Sequence, residues 1–208
     1  MHQPDDPWGI HRSIRLKREV LPHVVLEKLA HDCLCLAEAA SGKEQLNWCV
    51  AAITFAALEV EAFLNVMGDN LVKKWDDIER NTNPSAKLAI LENVLQFEFD
   101  LANSPFNAFK GLFDFRNLIV HAKRETLQVE LAEKHNYAVP VSSGETPSPK
   151  WEKQATISNA RTSVRDAREI VLQLAKYGNI QIPLGEHSRI QLNVEVPNDS
   201  DNSTDDQC

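Results

Sequence analysis

Apolar positions along this chain recur mostly at three- and four-residue steps, the spacing of a helix with one buried face. Pro22 to Ala40 follows that pattern and Ser41-Gly42 breaks it. The clearest stripe comes next: Leu46, Cys49, Val50, Ile53, Ala56, Ala57, Val60, Leu64 and Met67, with Gly68 predicted to stop or kink the helix near Asp69. After the polar stretch Asn81-Thr82-Asn83, Pro84 opens a short helix through Leu95 whose inward residues are Leu88, Leu91 and Leu95. Ser104-Pro105, a serine cap followed by proline at the first helical position, predicts a helix running to about His121 or Lys123. A long helix over 155–177 carries Ile157, Ala160, Val164, Ala167, Val171, Leu174 and Ala175 on one stripe, and Gly178-Asn179 ends it.

Two segments switch to period two, the signature of a half-buried strand. Leu127, Val129 and Leu131 alternate with Gln128 and Glu130, and Ile190, Leu192, Val194 and Val196 alternate with Arg189, Gln191, Asn193 and Glu195. Each is a candidate partner for the other. Val139 to Lys150, with Pro140, Pro147 and Pro149, reads as an exposed loop. The predicted fold is mainly α, an up-and-down four- or five-helix bundle with a small β appendage. Its parts are a basic N-terminal segment 1–21, a bundle 22–180 with a strand and loop insertion at about 125–152, a strand in 181–197, and a tail 198–208.

Composition sharpens this outline. The 208 residues are 43% hydrophobic and 25% charged, which excludes wholesale disorder. The formal charge of −8 excludes coating of nucleic acid through bulk positive charge. Half of it belongs to Asp199, Asp201, Asp205 and Asp206 in a tail too polar to order itself, so the body is only mildly acidic. The four cysteines form no CxxC pair and no Cys/His set with zinc spacing, so no metal site and no cofactor is expected. The start MHQPDDPWG lacks a basic stretch followed by an apolar run, and Val50 to Leu64 is interrupted by Glu59 and Glu61. The expectation is a cytoplasmic protein without a signal peptide or membrane span.

Arg116 is the anomaly. On an ideal helix it lies about 340° around from Phe109, within the stripe of Phe109, Leu112, Phe113, Ile119 and Val120, whereas Phe115 and Leu118 point elsewhere. A helix apolar over more than half its circumference is covered on two sides, and a homodimer contact is one candidate for the second cover. An arginine is rarely buried unless paired or functional. On the polar side, Asp114, Asn117 and His121 fall within about 60° of one another, and Asn117 and His121 are spaced to touch.

The string Phe115-Arg116-Asn117-Leu118-Ile119-Val120-His121 resembles the defining motif of the HEPN superfamily: an arginine, a polar residue, a few apolar residues and a histidine late in a bundle helix. The run Ala56-Ala57-Leu58-Glu59-Val60-Glu61-Ala62-Phe63-Leu64-Asn65 is similar to the earlier helix of many such chains. The resemblance spans roughly residues 22–123 and takes in the 155–177 helix. It implies an HEPN-like bundle and a metal-independent endoribonuclease, such as a toxin or phage-defence effector, working as a homodimer with an antitoxin or nucleotidyltransferase as a candidate partner. Some toxin members carry a tyrosine two residues after the histidine that a nucleotidyltransferase modifies. Lys123 stands there in this chain, so that regulation does not carry over.

The residue types suit the implied chemistry. RNA supplies its own nucleophile, the 2′-hydroxyl, leaving the protein to move a proton and stabilise a phosphate. Histidine titrates near neutrality and serves as base or acid. Arginine stays charged and answers the growing negative charge. Asn117 would orient the imidazole or donate to a phosphate oxygen, with Glu61 and Asp114 in support. The products would be a 2′,3′-cyclic phosphate and a 5′-hydroxyl. Arg116 and His121 sit about 140° apart on an ideal helix, so they converge only if the arginine wraps, the helix end distorts, or a second copy contributes.

A plainer alternative pairs Arg116 with a bundle carboxylate such as Glu61 and leaves His121 to cap the helix, within a non-catalytic scaffold that binds a nucleotide or a partner protein. Arg161, Arg165 and Arg168 would grip phosphates on one face, or form a solvated salt-bridged surface with Asp166 and Glu169 nearby. The acid-free run His11 to Arg18 would touch RNA, or form a helix whose charges answer the acidic bundle.

Overall fold

A computed structural model describes residues 13–127, 147–182 and 188–195, the strand residues 13–19 and 188–195 by their backbone alone. The order is β1 (Ser13–Val20), α1 (Pro22–Ala39), α2 (Gly42–Leu71), α3 (Trp75–Glu79), α4 (Pro84–Leu95), a 3₁₀ turn (Phe106–Ala108), α5 (Phe109–Val120), α6 (Lys150–Gln154), α7 (Ile157–Gly178) and β2 (Ser188–Glu195). The chain is mainly α, a helical bundle, and it divides into a helical unit, Pro22–Gly185, and a unit of Met1–Leu21 with Glu186–Cys208.

In the helical unit, α2 packs against α1, α4, α5 and α7. The two-residue link Ala40-Ser41 makes α1 and α2 antiparallel neighbours, since so short a connection leaves no other path. One core cluster gathers Val60, Phe63, Leu64 and Met67 of α2 with Leu88 and Leu91 of α4, Phe109, Leu112 and Phe113 of α5, and Ile170, Val171 and Leu174 of α7. A second joins Cys33, Leu34 and Ala37 of α1 to Cys49 and Ile53 of α2, Phe115 of α5, and Ala160 of α7. Each fully buried Leu or Phe adds roughly 1.5–3 kcal/mol relative to exposure, so these two clusters are the main source of stability.

Side-chain caps fix two helix starts: Asn83 Oδ1 accepts from the Ala86 N–H and Thr156 Oγ1 from the Asn159 N–H. Asn179, in the left-handed region at φ 51°, closes α7.

Gly68 lies three residues before the end of α2 at Leu71, close to the stop expected near Asp69. Its missing side chain admits the buried Trp75 ring, since a Cβ there would lie 2.0 Å from Trp75 Cε2. Ser104 is not the cap of α5: the helix starts at Phe109 behind the 3₁₀ turn, with no side-chain cap. Tertiary packing holds that start instead, because Phe106 is buried and stacks on Phe99 with ring centroids 4.7 Å apart. Phe115, assigned away from the apolar face, is buried in the second cluster, whereas Val120 is 58% exposed where the helix ends. Part of the second cover of α5 therefore comes from the chain itself.

Helix formation beyond Val50–Leu64 makes α2, at 30 residues, long and apolar enough to cross a membrane, the only such helix among the described residues. Its apolar face packs into the bundle core.

In the other unit, β1 and β2 form an antiparallel two-stranded sheet with Ile14 opposite Val194, Leu16 opposite Leu192 and Val20 opposite Ser188. One expectation changes: residues 13–20 are a strand rather than a helix, and they pair with the C-terminal strand. The alternation of Ile14, Leu16 and Val20 with Arg15, Lys17 and Glu19 carries the same period as 190–194. The expected strand beyond Leu127, most of the proline-rich loop and the acidic tail lie outside the described residues.

Candidate functional site

The last turn of α5 brings Arg116 in from its apolar face. Only 14% of the side chain is exposed, and Nη2 donates to Glu61 Oε2 of α2 at 2.6 Å. The guanidinium carbon lies 5.5 Å from the centroid of the Phe113 ring, within cation–π range. Glu61 is shared. The buried Lys87 of α4 approaches its Oε1 at 3.5 Å and donates to Asn65 Oδ1 at 2.8 Å. One carboxylate thus bridges two cations from two other helices, and the group keeps a net positive charge inside an acidic protein.

The helix then ends. His121 takes the C-cap position at φ −106° and ψ 19°, its backbone N–H donating to the Asn117 carbonyl at 3.0 Å. Arg116, Asn117 and His121 line one cleft of about 370 Å³, together with Glu61 and the residues Arg80 to Pro84 between α3 and α4. Asn117 and His121 are exposed at its mouth.

Arg80 is the residue that sequence reasoning missed. It is exposed, lines the same cleft and has no ion-pair partner among the described residues. No helical stripe or motif spacing links it to Arg116, because α3 and the turn after it carry it there. The polar stretch Asn81-Thr82-Asn83 that follows Arg80 was the available signal.

Other candidates lie elsewhere. Asp114 faces a second cleft with Gly111 and Phe115, away from Arg116. Arg161 donates through Nε and Nη2 to Glu38, Arg165 pairs with Asp166 at 2.8 Å, and Arg168 pairs with Glu27 at 2.6 Å. Each of these three guanidinium groups is paired with a carboxylate, as in the salt-bridged alternative.

Glu59, two residues before Glu61, points into the interior with both oxygens buried and without hydrogen-bond partners. Burial, and secondarily the charge of Glu27, pushes its carboxyl up to about 8 against the opposing pull of Arg168. His23 is likewise buried, edge-on to Phe63 at 5.0 Å, and burial followed by the Arg168 charge lowers it to about 4. Both are therefore held neutral at physiological pH. Neither lines the cleft.

Comparison with known proteins finds no matching family model, no matching curated protein and no matching solved structure.

Proposed function

We propose that this protein is a metal-independent endoribonuclease of HEPN type. The observation that carries the proposal is the convergence of Arg80, Arg116, Asn117 and His121 on one cleft with a net positive group behind it. The resemblance of the Arg116-to-His121 string to the HEPN motif supports the same reading. A backbone phosphate enters against Arg80 and the exposed edge of Arg116, whose position Glu61 sets. His121 accepts the proton of the 2′-hydroxyl as the 2′-oxygen forms its bond to phosphorus. The bond to the 5′-oxygen breaks and that oxygen takes a proton from water, leaving a 2′,3′-cyclic phosphate and a 5′-hydroxyl. Asn117, one turn before His121, steadies the imidazole or donates to the phosphate. A homodimer would bring two such clefts together.

The test is incubation of the purified protein with structured and unstructured RNA in EDTA. Cleavage with cyclic-phosphate ends that disappears in His121→Ala supports the proposal. Failure of the wild type to cleave any RNA, or undiminished cleavage by His121→Ala, defeats it.

One observation favours a second reading, a non-catalytic scaffold that binds a nucleotide or a partner protein. The 2.6 Å contact with Glu61 already pairs the charge of Arg116, and His121 occupies the capping position. Under that reading the wild type is inert toward RNA and His121→Ala has no phenotype on expression.

A further inference from the structure

The cleft that takes Asp114 is larger, about 560 Å³, and nothing in the proposed chemistry uses it. It is formed by α5 on one side and α6 and the first turns of α7 on the other, over Ile53 of α2. Its volume is that of a small-ligand site. The base of the cleft is apolar and includes the buried ring of Phe115. Its rim is polar, with the exposed carboxylate of Asp114, the ammonium group of Lys150, the amide of Asn159 and the hydroxyl of Ser163. Asp114 and Lys150 have no ion-pair partner among the described residues, so the rim charges are not consumed internally.

An apolar base with hydrogen-bonding groups along one edge suits a flat, heteroatom-rich ring better than a lipid chain or a free ion. A nucleobase has that shape: a face that stacks on apolar or aromatic surface and an edge that is read by polar groups. The carboxylate selects among bases. It offers two acceptors and no donor, and guanine alone presents two adjacent donors, N1–H and the 2-amino group. Adenine, cytosine and uracil would set a ring acceptor or carbonyl oxygen against the carboxylate. Lys150 supplies a cation for the attached phosphate.

We infer that this cleft is a guanine-recognition pocket. Asp114 lies one helical turn before Asn117 on α5, and the two clefts share no lining residue. Resting on the ribonuclease reading, a guanosine of the RNA held here makes Asp114 a specificity residue. Gly111 at the rim provides a clean block, because a Cβ there meets nothing within 4 Å and a larger side chain is not forced into the core.

The test is calorimetric binding of GMP, AMP, CMP and UMP to the wild type and to Asp114→Asn, Gly111→Trp and His121→Ala proteins whose thermal unfolding shows them folded. GMP is expected to bind at least about tenfold tighter than the other three, the discrimination of one good two-point contact. Asp114→Asn should remove that preference, Gly111→Trp should abolish binding, and His121→Ala should bind GMP as the wild type does. Equal affinity for the four nucleotides, no binding at millimolar concentration, or GMP binding untouched by Asp114→Asn and Gly111→Trp overturns the inference. The two proposals fail separately. GMP selectivity in a protein that cleaves no RNA keeps the pocket and removes the ribonuclease, whereas cleavage without guanine preference does the reverse.

Discussion

Glu61 and Arg116 stand 55 residues apart in sequence, yet their side chains meet at 2.6 Å, with Lys87 closing on the same carboxylate from a third helix. The contact ties α2, α4 and α5 at the point where the candidate cleft opens. It also fixes what Arg116 can do, since a guanidinium held from behind presents only its remaining edge to a phosphate.

Replacing Glu61 removes the shared counter-charge and strands two largely buried cations. Glu61→Ala should cost on the order of 3 kcal/mol, the usual penalty for breaking a buried pair from one side. Chemical denaturation measures it, and a change below about 1 kcal/mol would show that the contact behaves as a surface salt bridge. Arg116→Ala carries a similar structural penalty, so its activity is interpretable only alongside its stability.

Arg80 and His121 are exposed and give cleaner readouts. Arg80→Ala should leave thermal unfolding unchanged and reduce RNA cleavage by roughly a hundredfold to a thousandfold, the range for losing one stabiliser of a developing charge. Arg80→Lys should recover part of that loss by keeping the charge without the planar fork. Full activity in Arg80→Ala would remove this residue from the site.

Gly68 is a packing position within a continuous helix. Although alanine is the better helix former, Gly68→Ala forces a methyl into the buried Trp75 ring. The expected result is a loss of about 1–3 kcal/mol from overpacking. Pairing it with Trp75→Leu should recover part of the loss in a double-mutant cycle, and simple additivity would break the argument.

The two buried neutral groups set the pH response. Glu59, raised to about 8, favours the fold while protonated; its contribution is complete below its ordinary value of 4.5 and declines until the pH passes about 8. His23, lowered to about 4, acts in the opposite sense: its contribution is complete above 6.5 and is lost as the pH falls toward about 4. Between 4.5 and 6.5 the two slopes oppose each other, and from 6.5 to 8 only that of Glu59 remains. Wild-type stability should therefore fall across the upper window by at most about 1.4 kcal/mol per pH unit, and Glu59→Gln should flatten the decline. Parallel stability–pH curves for wild type and Glu59→Gln would contradict the burial argument.

Much of the bundle was legible because its signals are local. The stripe from Leu46 to Met67 and that from Ile157 to Ala175 are one-dimensional records of a buried face, and both became α-helices of the core. Asn179 as the stop of α7 and Leu88 and Leu91 as inward residues followed from equally local chemistry. Arg116 stood out because a charge within an apolar stripe demands a partner, and Glu61 was among the carboxylates named for it.

What lay beyond the sequence depended on distance. A helical projection continues indefinitely, so it could not show that Arg116 and His121 line one cleft, nor that Val120 becomes exposed. Gly68 carries the local character of a breaker, and only the arrival of Trp75 gives it a packing role. Arg80 and Asp114 were sorted into their clefts by helices that meet across long stretches of chain. By itself the sequence determined which faces must be buried, because hydrophobic periodicity is written residue by residue. Tertiary structure decided which polar groups share a site, because charges interact through space and the chain order does not carry that separation.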